Sequence, residues 1–292
     1  MNTANTVNSK IVDVVLMIII GLISLLCLLP MVHLLAVSFS SNGAIMAGKV
    51  SLLPIGFNFT AYKSVFMHSA MVKSLFFSIF LVALYTLVAM GMTIIAAYPL
   101  TKQKLRGRNF FLLFIVLTMF FSGGLIPDYL LMRELYLLDT IWVLVLPGAI
   151  SAFYLIILKT FFSSIPLELE ESARMDGASH FRILWSIILP LSLPSVATLS
   201  LFYAVGRWNG FQDALIYINS QELYPIQLKL YALVISGQAN DMSIMEAQNA
   251  GAPVPQSLKA ASIMFGTVPI LLVYPFIQRY FISGVMIGAV KG

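Results

Sequence analysis

Arg207 and Asp213 stand inside an apolar stretch, about 193–217, where ionisable side chains are costly and default to functional roles. Six residues apart, they do not share a face of one continuous helix, so no direct pair within it is expected. Asn209 and Asp213 are four apart, as are Trp208 and Gln212, and each of these pairs does share a face. Trp208, Asn209, Gln212 and Asp213 therefore form a candidate polar and aromatic stripe. Such a stripe can hydrogen-bond a hydroxylated ligand and stack an indole on its apolar face, or pack against a neighbouring chain.

Other chemistry dissolves on inspection. His33, His68 and His180 fall in different layers or on opposite sides of the arrangement derived below, which leaves no metal site and no catalytic relay. Ser122-Gly123-Gly124 lacks a base and reads as a bend. Cys27, the single cysteine, lies in an apolar run and forms no internal disulfide. No G-x-x-x-x-G-K-[ST] phosphate loop is present, so any ATP must be hydrolysed by another chain. No catalytic residue, metal or resident cofactor is expected.

The elements that hold these residues follow from composition. Of 292 residues, 60% are hydrophobic and only 10% charged, and the mean hydropathy is +0.94. A soluble domain carries about 25% charged residues. A bilayer-spanning helix needs about 20 apolar residues, and runs of that kind appear at about 11–37, 71–100, 110–126, 140–161, 193–217 and 260–282. The continuous runs exclude an alternating outer-membrane barrel. The expectation is an all-α polytopic membrane protein with six transmembrane helices. Ala36-Val37-Ser38 resembles a signal-peptidase site, but its run exceeds a signal core of about 7–15 residues, so an uncleaved first helix is expected.

Six spans put both termini on one side. With the termini cytoplasmic, ten basic residues fall inside (Lys10, Lys102, Lys104, Arg106, Arg108, Lys159, Arg174, Arg182, Arg279, Lys291) and six outside (Lys49, Lys63, Lys73, Arg133, Lys229, Lys259). The formal net charge of +5 then lies on the inner side. The basic loop from Lys102 to Arg108 marks topology; nothing here calls for nucleic acid.

The inner connection, about 162–192, is more patterned than a linker requires. Ser164 is placed to cap a helix with Pro166 in its early turn, and Glu168, Glu170 and Glu171 suit the positive end of its dipole. Gly177 allows a left-handed stop, and Ser179 can cap a second helix that runs to Pro190 and Pro194. A hairpin lying at the lipid surface is one reading. Its acidic first helix repels anionic headgroups and suits a protein partner better.

These residues carry a resemblance. Glu171-Ser172-Ala173-Arg174-Met175-Asp176-Gly177-Ala178, followed by Ile187-Ile188-Leu189-Pro190, resembles the EAA signature of ABC importer permeases, with Ser172 where Ala is usual. Gly123 to Pro127, Leu138-Asp139-Thr140, Trp208 to Phe211, Gln278-Arg279 and Val290-Lys291-Gly292 extend the match. Together they resemble carbohydrate-importer permeases of the maltose-permease G type, in the branch handling complex oligosaccharides such as aldouronate and alginate.

The resemblance implies a type I ABC importer permease fold and a set of partners: a homologous second permease, two ATPase subunits that bind Mg-ATP, and an extracytoplasmic solute-binding protein. It assigns the 162–192 hairpin to ATPase coupling through Glu171, Ala173, Asp176 and Gly177, with Leu189 and Pro190 setting the path into the fifth span. Glu171 can form charge-assisted hydrogen bonds, Ala173 permits close approach, and Gly177 permits the turn. Gln278, Lys291 and Gly292 would contact the ATPases. Arg207, Trp208, Asn209, Gln212 and Asp213 would border the oligosaccharide pathway, or else the partner permease. The outer segment 219–259 would reach the binding protein. An amino-acid or peptide importer permease is the alternative within the class; an ion-coupled secondary transporter would require inverted repeats that this chain does not show.

Overall fold

The computed structural model describes residues 3–67, 69–239 and 253–289, with side-chain surroundings over 12–67, 69–235 and 253–273. Among the described residues every regular element is helical: α1 (Thr3–Ser38), α2 (Asn42–Met46), α3 (Thr60–Met67), α4 (Ser69–Thr101), α5 (Arg108–Thr118), α6 (Leu125–Glu134), α7 (Ala152–Phe162), α8 (Leu167–Met175), α9 (His180–Leu191), α10 (Leu193–Asn209), α11 (Gln212–Tyr217), α12 (Ile226–Ala239) and α13 (Pro255–Ala289). Short 3-10 turns occupy Ile141–Leu144 and Gln221–Leu223.

Among the described residues, three helical stretches are long and apolar enough to cross a membrane: Val12–Ser38 in α1, all of α4, and Pro255–Val273 in α13. Two bent pairs raise the number to five if each counts as one span, α7 with α8 (71°) and α9 with α10 (84°). Residues 12–29 of α1 are exposed on every face, and an all-round apolar helix is stable only in lipid or against other apolar surface. The chain is an all-α polytopic membrane protein.

Local chemistry interrupts three of the expected apolar runs. The run at 110–126 is helical from Arg108 to Thr118, then opens into a bend at Ser122, where Gly124 has φ +89° and donates to Ser122 Oγ at 3.3 Å. Within 140–161 the 3-10 turn and α7 are separated by Pro147-Gly148, and α7 starts where Ser151 Oγ accepts from the Tyr154 amide at 3.4 Å. The run at 193–217 is α10 and α11, separated at Gly210-Phe211.

The chain forms two compact units. In the first, residues 1–72 with 230–268, Phe39 stacks on Phe57 (5.2 Å) and Tyr62 (4.7 Å), and Asn42 Oδ1 accepts from the Val254 amide at 3.2 Å. In the second, residues 73–229 with 269–292, one core gathers Ala89, Ile94, Ala97 and Tyr98 of α4 with Leu158 and Phe162 of α7, Ile183, Ile188 and Leu189 of α9, and Leu199 and Tyr203 of α10. Another joins Leu81 to Val143, Leu144, Ala214, Ile218 and Leu228. A hydrogen bond from the Ile226 amide to buried Ser78 Oγ (2.7 Å) holds the start of α12 there.

Candidate functional site

The connection 162–192 folds as the expected helical hairpin, with one change at its start. Ser164 does not cap α8. Its hydroxyl donates to the Phe161 carbonyl (2.7 Å) and closes α7, while Pro166 takes the N-cap position of α8. The fixed φ of Pro166, −55°, turns the chain without a side-chain cap.

The far end of α8 matches the sequence reading closely. Gly177 has φ +78°. Its amide donates to Arg174 O (3.0 Å) and the Ala178 amide to Ala173 O (2.9 Å), the paired hydrogen bonds of a Schellman stop. Ser179 Oγ then accepts from the Arg182 amide at 3.3 Å and caps α9. Ala173 and Ala178 pack on the α4/α7/α9/α10 core, so the smallness of Ala173 serves the hairpin's own packing. Glu171, Asp176 and Gly177 are exposed, as is Met175 at 89%. Leu189 is buried and Pro190 exposed. Between them and Ile183 the helix widens into a π turn, Leu184–Ile188, as expected where Pro190 has no amide for the carbonyl four residues back.

Lys102 and Glu170 are a pair that the sequence reading missed. Lys102 Nζ reaches both Glu170 oxygens, at 2.6 and 2.5 Å, although the residues lie 68 positions apart. Opposite sign was the only signal available, and sign alone does not select one carboxylate among the hairpin's four.

At the α10/α11 break the expectation for Arg207 and Asp213 is overturned. Arg207 Nη2 donates to Asp213 Oδ1 at 2.8 Å, and Nη1 donates to Oδ2. The continuous helix that would keep them apart ends at Asn209, so the chain folds back through extended Gly210 and restarts at Gln212. For the same reason Asn209/Asp213 and Trp208/Gln212 are not helical neighbours. Arg207 also donates to Leu144 O (3.1 Å) and Gly210 O (3.3 Å). A Cβ on Gly210 would meet Arg207 Nη2 at 3.2 Å and the Gly206 carbonyl oxygen at 3.3 Å, both tighter than ordinary contact. A groove of about 340 Å³ borders Tyr85, Arg207, Asn209, Gln212 and Asp213. Trp208 is only 9% exposed and is not part of its wall.

Asp139, in the quoted Leu138-Asp139-Thr140 motif, adopts φ +58°. Its carboxylate accepts from the Asn219 amide (2.9 Å), the Ser220 amide (2.8 Å) and Ser220 Oγ (2.6 Å), and its own amide donates to Tyr217 O (2.9 Å). These bonds hold its pKa below the ordinary carboxylate value.

The side chain of Gln278, residues Lys291 and Gly292, His68, and 240–252 of the expected outer segment lie outside the described residues. Among the described residues no three His, Cys, Asp or Glu side chains gather as metal ligands.

A family model for the binding-protein-dependent transport system inner membrane component matches residues 103–287. The chain belongs to this family. It is 43% identical to the polygalacturonan/rhamnogalacturonan transport system permease protein YtcP of Bacillus subtilis, over 97% of this chain and 99% of that one. Protein LplC of the same organism is 42% identical over 99% and 97%. Among solved structures, a chain of a bacterial ABC transporter involved in the import of the acidic polysaccharide alginate superposes with a TM-score of 0.88 and 32% identity, covering 94% of this chain and 98% of that one. As a binding-protein-dependent transport component, this permease is a multi-pass inner-membrane subunit that serves a binding protein and relies on a separate ATPase for hydrolysis. The EAA resemblance and the family assignment therefore agree.

Proposed function

We propose that this permease carries an oligosaccharide containing uronic acids across the cytoplasmic membrane, paired with a homologous permease and driven by two ATPase subunits. The relatives carry the substrate class: polygalacturonan and alginate systems share acidic sugars, and both match this chain over nearly its whole length. Six spans with both termini cytoplasmic fit the basic loop at Lys102–Arg108, with the apolar helices α5, α7 and α10 added to the three long ones.

The hairpin is the coupling element in this reading. The observation that supports it is the division of α8 into two faces: Ala173 packs inward while Glu171 and Asp176 stand exposed beside the Gly177 stop. An acidic exposed end on a rigidly capped hairpin suits charge-assisted contacts with an ATPase cleft. Leu189 and Pro190 set the bend into α10. The C-terminal Gln278, Lys291 and Gly292 reach the ATPases, and 219–259 reaches the binding protein. The groove beside Arg207, Asn209, Gln212 and Asp213 borders the pathway, and Trp208, buried, stays out of it.

Reconstitution of the complete complex tests this reading. Galacturonate or alginate oligosaccharides with the binding protein should stimulate ATP hydrolysis, and neutral malto-oligosaccharides should not. Stimulation by neutral glycans alone would reassign the substrate.

A further inference from the structure

Lys102 follows directly on α4, where the helix leaves its last carbonyls without amide partners and favours positive charge. Its ammonium is held from two sides. Glu170 takes it with both oxygens, and the Tyr98 ring lies 4.0 Å from Nζ. The side chains of Lys102 and Glu170 are 19% and 8% exposed. Arg108 Nε donates to the Leu100 carbonyl at 2.8 Å, which ties the start of α5 to the same helix end. On the hairpin side, Arg174 Nη2 lies 3.9 Å from Glu170 Oε2 and 3.4 Å from His180 Nδ1, so α8 and α9 meet at the same point.

Glu170 and Glu171 are consecutive on α8 and so project about 100° apart. One is buried against α4; the other is exposed. A force received on the exposed face is therefore delivered to α4 through its neighbour. A buried ion pair is poor evidence for stability, since apolar residues of similar volume serve as well. What it adds is a directional, two-point contact in one register.

We propose that Lys102 is a positioning residue for transport: with Glu170 it pins the hairpin to α4, and the pair stays closed through the cycle so that displacement of α8 carries the span with it. This rests on the coupling reading of the hairpin. Lys102 makes no contact with substrate or nucleotide in this role.

The test uses the full complex in lipid nanodiscs and proteoliposomes, with Cys27 replaced by Ser. Lys102→Ala in an assembled complex should lower the ratio of substrate-stimulated to unstimulated ATP hydrolysis by roughly two- to thirtyfold. The exchange Lys102→Glu with Glu170→Lys should recover part of it. Cysteines at both positions, joined by a cleavable bifunctional methanethiosulfonate, should support transport while joined and lose it after reduction. An unchanged ratio in assembled Lys102→Ala overturns the proposal, as does a joined pair that is inactive. Where Lys102→Ala fails to assemble, the joined pair decides alone. Glu171→Lys is measured in parallel: normal coupling there removes the coupling reading itself, whereas its loss beside an indifferent Lys102 removes only the pin.

Discussion

Arg207 donates through both terminal nitrogens to the two carboxylate oxygens of Asp213, six residues further on, across the Gly210 break. Arg207 is only 8% exposed, and its Nε has no hydrogen-bond partner. The pair turns a discontinuity in an apolar run into a defined corner, and the Leu144 and Gly210 carbonyls accept from the same two terminal nitrogens.

Removing one half of that pair strands the other. Asp213→Ala should destabilise the protein by about 3 kcal/mol, because a buried guanidinium loses its counter-charge. Asp213→Asn should cost less, and Arg207→Met with Asp213→Ala should recover part of the loss. Thermal unfolding in detergent reads all three, and Arg207→Met alone closes the double-mutant cycle. Additive single effects would mean that the pair contributes nothing as a unit.

Gly177 offers a graded series. No atom lies within 4 Å of a Cβ built there, so substitution is penalised by the positive φ alone. Gly177→Ala should cost about 1–2 kcal/mol, Gly177→Asn less, and Gly177→Val most, since a branched side chain tolerates the left-handed region least. Stimulated ATP hydrolysis in purified complexes should fall in the order Gly, Asn, Ala, Val, with membrane insertion unchanged. Equal rates across the series would remove the Gly177 turn from the coupling path.

Asp139 supplies a pH dependence. Its folded pKa is lowered by the Ser220 hydroxyl and the Ser220 and Asn219 amides, so its stabilisation is present above the unfolded carboxylate value of about 4 and is lost as pH falls through the folded value. Hydrogen exchange at the Asn219 and Ser220 amides, expressed as protection factors, should show protection at neutral pH that declines in acid. Asp139→Asn should flatten this decline, and Asp139→Ala should abolish protection at every pH.

The proposed topology is open to labelling. With Cys27 replaced, Lys104→Cys should react with an impermeant maleimide only from the cytoplasmic side, and Glu222→Cys only from outside. Labelling of both from one side would contradict six spans with cytoplasmic termini.

The membrane class, the hairpin, its Gly177 stop and the Ser179 cap were legible because each rests on interactions that close within a turn or two of chain. Apolar run length sets a span, a missing Cβ permits φ +78°, and a hydroxyl reaches an amide three residues away. The same local logic misplaced the first cap, where Pro166 turned the chain and left Ser164 to close α7.

The charged pairs obey a different rule. Lys102 meets Glu170 only because α4 and α8 share one core, and Arg207 meets Asp213 only because Gly210 interrupts a run that composition presents as continuous. Amino-acid types and spacing specified the membrane class, the helical hairpin and the resemblance to importer permeases. The choice of partner for each scarce charge waited on packing, since an ion pair in an apolar surround depends on which helices approach and not on how far apart its residues stand in the chain.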